Sequence, residues 1–176
     1  MEELGRKSVE EFRQSEKLPV TVVLENIRSA YNVGSVFRTC DAFLVEAIYI
    51  IGYSARPPHK EIKKTALGAE ETVEWHYFKT TAEAIDVLRE KHYAVFAVEQ
   101  ARGSQPLQKL NTPDKLAVIF GNEVTGVEQA TIDRSDGCIE IPQLGMKHSL
   151  NIATAAGVVL WELVRKKLLL QNDSTT

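Results

Sequence analysis

Cysteine is scarce in this 176-residue chain: Cys40 and Cys138 stand far apart, with no CxxC or His-paired spacing. That excludes a disulfide-stapled scaffold, and four scattered histidines give no reason to expect a metal site. Long apolar runs are missing too. The longest mostly apolar stretch, Ile152 to Trp161, falls short of the ~18–20 residues that span a bilayer. The start, Met1 to Phe12, is charged throughout and lacks the apolar core of a signal peptide, so a cytosolic location and no membrane partner are expected. Positive charge is not in excess: 21 Lys and Arg face 24 Asp and Glu, for a net charge of -3. A polyanionic partner must therefore be held by a local basic patch or a shaped site rather than by the whole molecule. No GxGxxG, P-loop, internal repeat or low-complexity tract occurs.

What is present suits one α/β domain. Hydrophobic residues make up 44% and charged residues 26%, and a chain of this size buries roughly 70% of its extended surface. Strands are expected at Val20–Leu24, Ala47–Ile51, Val73–Phe78, Tyr93–Val98, Leu116–Phe120 and Cys138–Ile141. Helices are expected near Val33–Phe43, Ile62–Leu67, Thr81–Glu90 and Val127–Arg134, with a long one from Ser149 to about Leu170. The alternation reads as a mostly parallel sheet flanked by helices. Four strands, those at Val20, Ala47, Tyr93 and Leu116, are apolar almost without alternation, as burial on both faces requires. Residues 1–18 form a short N-terminal extension with an amphipathic helix at Ser8–Ser15, residues 19–170 the main unit, and residues 171–176 a polar tail.

In such sheets ligands bind beyond the carboxyl ends of the strands, and three loops there are rich in polar residues. In the first, Glu25 to Arg38, the spacing predicts Asn32 as the cap of a helix that Gly34 opens, with Arg38 on its second turn. This is either an anion site at a helix N-terminus or an ordinary cap beside an exposed arginine. In the second, Gly121-Asn122-Glu123, the glycine would let a ligand approach the backbone. Glu123 could serve a site or simply favour the following helix. In the third, Ser149 is a good N-cap, whereas Asn151 falls among apolar neighbours inside the long helix and has to find partners there. A fourth segment, Arg56-Pro-Pro-His-Lys60, is a stiff basic loop, either a solvated connection or a phosphate-contacting patch.

Asn32-Val-Gly-Ser-Val-Phe-Arg38, Phe120-Gly-Asn-Glu-Val-Thr-Gly126, and Ile139-Glu-Ile-Pro142 continuing to Ser149-Leu-Asn151-Ile-Ala-Thr-Ala-Ala stand in that order. Together they resemble the three motifs of the SpoU (TrmH-like) RNA ribose methyltransferases of the SPOUT superfamily, over about Val20 to Leu170. The resemblance implies an S-adenosylmethionine-dependent 2'-O-methyltransferase acting on tRNA or rRNA, a C-terminal deep trefoil knot, and a homodimer whose partner can complete the site. It places the cofactor against Val98, Glu99, Gly121, Asn122, Ile141, Leu144, Met146 and Leu150. It assigns catalysis to Arg38, Asn32, Glu123, Asn151 and Ser149, with Arg38 also on the RNA; Arg28, just before the motif helix, and on charge alone Arg56 and Lys60, are further candidate RNA contacts. Arginine is effectively always protonated, so Arg38 is read as a clamp on phosphate and alkoxide rather than as a base. Neither cysteine is needed, because transfer to a hydroxyl passes through no covalent enzyme intermediate. A methyltransferase of a small-molecule acceptor and a catalytically silent RNA-binding module are the competing readings.

Overall fold

The computed structural model describes residues 7–146 and 149–173. In chain order its elements are α1 (Val9–Gln14), β1 (Leu18–Glu25), α2 (Ala30–Ala42), β2 (Val45–Ile51), α3 (Lys60–Ala66), α4 (Ala69–Thr72) and β3 (Glu74–Phe78). Then come α5 (Thr81–Glu90), β4 (Ala94–Val98), β5 (Gln105–Pro106), a single 3₁₀ turn, β6 (Leu116–Phe120), α6 (Gln129–Arg134), β7 (Gly137–Glu140) and α7 (Ile152–Asp173). The strands form one seven-stranded sheet in the order β3-β2-β1-β6-β4-β7-β5. Every pairing within it is parallel.

The uninterrupted apolar runs lie where burial on both faces demands them. Val22, Leu24, Ile48, Ile50 and Val118 face one core layer with α2 and α7, while Val23, Tyr49, Ile51, Ala97 and Ile119 face the other with α5. The edge strand β3 carries Glu74 exposed and His76 half-buried, a polar edge that discourages further strand addition. Two elements escaped the sequence pattern. β5 is only two residues long and α4 only four, too short for any period to register. The long helix starts later than expected, at Ile152, and continues through residues 171–173 of the expected polar tail. Residues 174–176 and 1–6 lie outside the described residues.

α2 packs against α3 at Gly34, which is inside the helix rather than at its opening. A Cβ there would stand 2.1 Å from Thr65 Oγ1 and 2.5 Å from the Ile62 carbonyl oxygen. Because one of those atoms is backbone, a side chain can be admitted only by moving the helices apart. Gly34→Ala is expected to destabilise the fold by about 2 kcal/mol, which lowers Tm by about 6 °C for a chain of this length. Thermal unfolding of the variant followed by circular dichroism checks this; an unchanged Tm would mean that the pair separates at no cost.

Candidate active site

The loops after β1, β6 and β7 meet at the carboxyl edge of the sheet and share one hydrogen-bonded chain. Glu123 turns its carboxylate back onto the start of α2, accepting from the backbone N–H of Arg28 at 2.8 Å and of Ser29 at 3.0 Å. The same carboxylate accepts from Asn32 Nδ2 at 2.9 Å. Asn32 Oδ1 in turn accepts from Asn151 Nδ2 at 3.2 Å. Burial acts to raise the Glu123 pKa, but the hydrogen bonds from Arg28, Asn32 and Ser29 outweigh it and hold the carboxyl below the usual carboxylate range. Glu123 therefore serves the N-terminus of α2, not the helix that follows it, and supplies a full negative charge where the α2 dipole favours one.

Three local expectations change. Ser29, not Asn32, caps α2, its side chain accepting from Asn32 N–H. α2 therefore begins at Ala30, and Arg38 falls on the third turn. Asn151, not Ser149, caps α7: its Oδ1 accepts from Ala153 N–H at 2.9 Å and Thr154 N–H at 3.4 Å. An asparagine among apolar residues thus finds its partners by ending the loop rather than by sitting inside the helix. Gly121 is required by the chain itself, since a Cβ there would lie 2.3 Å from the backbone of Gly126 and Val127. The loop folds back on the strand end at that point.

Beside this network lies a cavity of about 690 Å³, within the usual range for a small-molecule site. Of the cofactor residues suggested by the motifs, Val98, Glu99, Gly121, Asn122, Ile141 and Leu150 line it, as do Ser149, Glu123 and Asn151. Leu144 and Met146 do not line it, and they are 101% and 88% exposed. The Asn122 amide is committed to the loop, donating to Asn26 O and Tyr53 Oη and accepting from Val124 and Thr125 N–H. Phe120, Ile141, Leu150 and Ile152 offer an apolar slot, and the surrounding loops supply polar groups. That combination suits a purine-bearing cofactor such as S-adenosylmethionine.

Arg38 is not in this cavity. It lines a second one of about 450 Å³ with Ser35, Lys64, Thr65, Ala153 and Thr154. The first turn of α7 is the wall between the two: Ile152 and Ala155 face the first cavity, Ala153 and Thr154 the second. Among the described residues the Arg38 guanidinium, which is exposed, has no hydrogen-bond or ion-pair partner. Arg28 and Lys60 are exposed as well. Arg56 lies with its guanidinium 4.0 Å above the Tyr77 ring. Both cysteines are buried. Burial first and a neighbouring carboxylate second push their thiols up, at Cys40 through Asp41 and at Cys138 through Glu99, which makes them poor nucleophiles. Among the described residues no cluster could hold a metal ion, and no helix is long and apolar enough to cross a membrane.

Sequence reasoning passed over Glu25. Its side chain, 1% exposed, accepts from Thr81 Oγ1 at 2.5 Å, from Glu128 N–H at 2.9 Å and from Thr131 Oγ1. It ties the starts of α5 and α6 to the end of β1. A carboxylate closing a strand predicted to be buried on both faces was the available signal.

A fully parallel sheet with helices on both faces and a cofactor-sized cavity, closed by three polar loops at its carboxyl edge, defines an α/β protein of the nucleotide-cofactor-binding kind. Residues 19–161 match the SpoU rRNA Methylase family, and the chain belongs to it. Its relatives include a tRNA (guanosine(18)-2'-O)-methyltransferase of Thermus thermophilus, 31% identical over 166 residues, which cover 94% of this chain and 84% of that one. The 23S rRNA (guanosine-2'-O-)-methyltransferase RlmB of Neisseria meningitidis is 30% identical over 86% of this chain and 60% of its own length. Among solved structures, the TrmH/SpoU tRNA modifying enzyme of A. aeolicus superposes with TM-score 0.83 at 21% identity, covering 93% of this chain and 82% of that one. An AdoMet-bound rRNA methyltransferase of Sinorhizobium meliloti gives 0.79 at 26% identity, over 92% and 61%.

Proposed function

We propose that the protein transfers a methyl group from S-adenosylmethionine to a ribose 2'-hydroxyl of tRNA or rRNA. The observation that carries this reading is the hydrogen-bonded chain Glu123–Asn32–Asn151 on the rim of the large cavity. It joins the three sequence motifs of a family whose members include RNA 2'-O-methyltransferases. Val98, Gly121, Ile141 and Leu150 hold the cofactor, which supplies a methyl group activated by its sulfonium. Glu123 and Asn151 fix the loops, so that positioning provides much of the acceleration. Arg38 clamps an RNA phosphate and stabilises the alkoxide as it forms, while that phosphate or a water takes the proton.

Within one protomer the first turn of α7 separates Arg38 from the cofactor cavity. A homodimer that brings the partner's copy of Arg38 to the cavity completes the site. The exposed stripe of Val158, Trp161 and Leu168 on α7 supports it, because apolar side chains repeating along one helix face ask for a covering surface. A C-terminal trefoil knot belongs to the same reading. It is supported by β7 lying between β4 and β5, strands that only a short loop connects, before the chain crosses to pack α7 on α2. Arg28, Arg56 and Lys60 face RNA.

Two measurements test the reading together. Calorimetry with S-adenosylmethionine should show one site per chain, and nucleosides from RNA of a deletion strain should lack one 2'-O-methyl nucleoside that the restored gene returns. Cofactor binding with every such nucleoside intact would point instead to a small-molecule acceptor. RNA binding without cofactor binding would leave only a silent module.

A further inference from the structure

We propose that Tyr53, with the neighbouring Arg56–Tyr77 pair, is a stacking platform for unpaired bases of the substrate, just outside the catalytic loops; this rests on the RNA reading above. Tyr53 is 65% exposed, and a ring so open to water ordinarily wanders. Here its far end is held. The hydroxyl accepts from Asn122 Nδ2 at 2.7 Å, and the Tyr53 N–H donates to Asn26 Oδ1 at 3.4 Å. Asn122 is only 8% exposed and belongs to the same loop as Glu123. The ring is therefore anchored to the catalytic loops by its edge and free on its face, which lowers the ordering cost of a partner that stacks.

Three residues further on, Arg56 lies over Tyr77, itself 40% exposed, with its guanidinium carbon 4.0 Å from the ring centroid. α3 then begins with Lys60, followed by Lys63 and Lys64, against which Glu61 is the one acid in that helix. Planar aromatic and guanidinium faces beside a cationic helix are what single-stranded RNA uses, bases on the planes and phosphates on the charges. A protein partner would want a contiguous apolar surface, and these rings are set among cations instead.

Tyr53→Leu keeps apolar bulk and removes the aromatic face; Tyr53→Phe keeps the face and removes the anchor. With mixed-sequence single-stranded RNA and bulk tRNA as probes, the Leu variant should bind about tenfold more weakly, and the Phe variant should fall between it and the parent. The salt dependence of binding should be unchanged in Tyr53→Leu, whereas Arg56→Ala should lower its slope by about one. Affinity for S-adenosylmethionine should not move in either Tyr53 variant, which reports an intact fold. A parent that methylates RNA alongside a Leu variant that binds equally well overturns the platform alone. So does an equal loss on an abasic ribose-phosphate chain, or a loss seen only as altered sedimentation of the protein by itself, which would put the ring in a protein contact. A parent that neither binds nor methylates RNA overturns the functional reading and the platform with it.

Discussion

Glu123→Ala is expected to slow methyl transfer about a hundredfold, the order of effect that a shift of about 1 Å in a reacting geometry produces. The carboxylate gathers the N–H groups of Arg28 and Ser29 and the Asn32 amide onto one anchor. Without it, the loop after β1 and the cap of α7 lose their shared reference point. Single-turnover rates at saturating RNA and cofactor check this, and an unaltered rate would remove Glu123 from the positioning network. Glu123→Gln should be milder, since one acceptor oxygen remains, although its amide N–H groups oppose the donors on α2.

The pH dependence follows from the lowered pKa. A carboxyl with a folded pKa below its unfolded value, about 4.3, contributes its full stability above that value and loses it as the pH falls through the folded pKa. The Tm difference between parent and Glu123→Gln should therefore be constant above about pH 5 and shrink in stronger acid. A difference that grows on acidification would contradict the direction of the shift. The same sign leaves Glu123 ionised at neutral pH, so a fall in activity near pH 6–7 has to come from another group.

Arg38→Ala should cost still more, about a thousandfold in kcat/KM, the upper range for removing one electrostatic stabiliser of a developing oxyanion. The guanidinium is exposed and free of any described carboxylate, so a phosphate finds it unneutralised. Arg38→Lys separates a clamp from a base. A lysine keeps the charge but cannot grip bidentately, so its activity should drop about tenfold, and the parent's pH profile should stay flat up to high pH. Full activity in the lysine variant would sink the clamp. If the partner's Arg38 completes the site, mixing Arg38→Ala with the slowed Glu123→Ala chain should raise activity above that of either variant alone, through heterodimers carrying one intact site.

Much of this architecture was written in local patterns. Apolar runs without alternation announced strands buried on both faces, and helical spacing marked what covers them. The polar loops fell at strand ends, and six of the eight suggested cofactor residues line one cavity. The departures share a cause. Asn151 reads as an interior helix residue because periodicity cannot say where a cap lies, and Gly121 reads as room for a ligand because the strand cannot reveal that Gly126 returns to it.

Leu144 and Met146 keep the spacing of their motif yet stand outside the cavity. Composition and spacing fixed the elements, their order and the residue types available for chemistry, since those depend on steric and solvation preferences within a turn or a strand. Only the tertiary structure decided which groups meet. The bonds from Asn32 to Glu123 and to Asn151 close over 91 and 119 residues, and the first turn of α7 parts Arg38 from the larger cavity. Contacts of that reach are set by how sheet and helices pack, which no local pattern encodes.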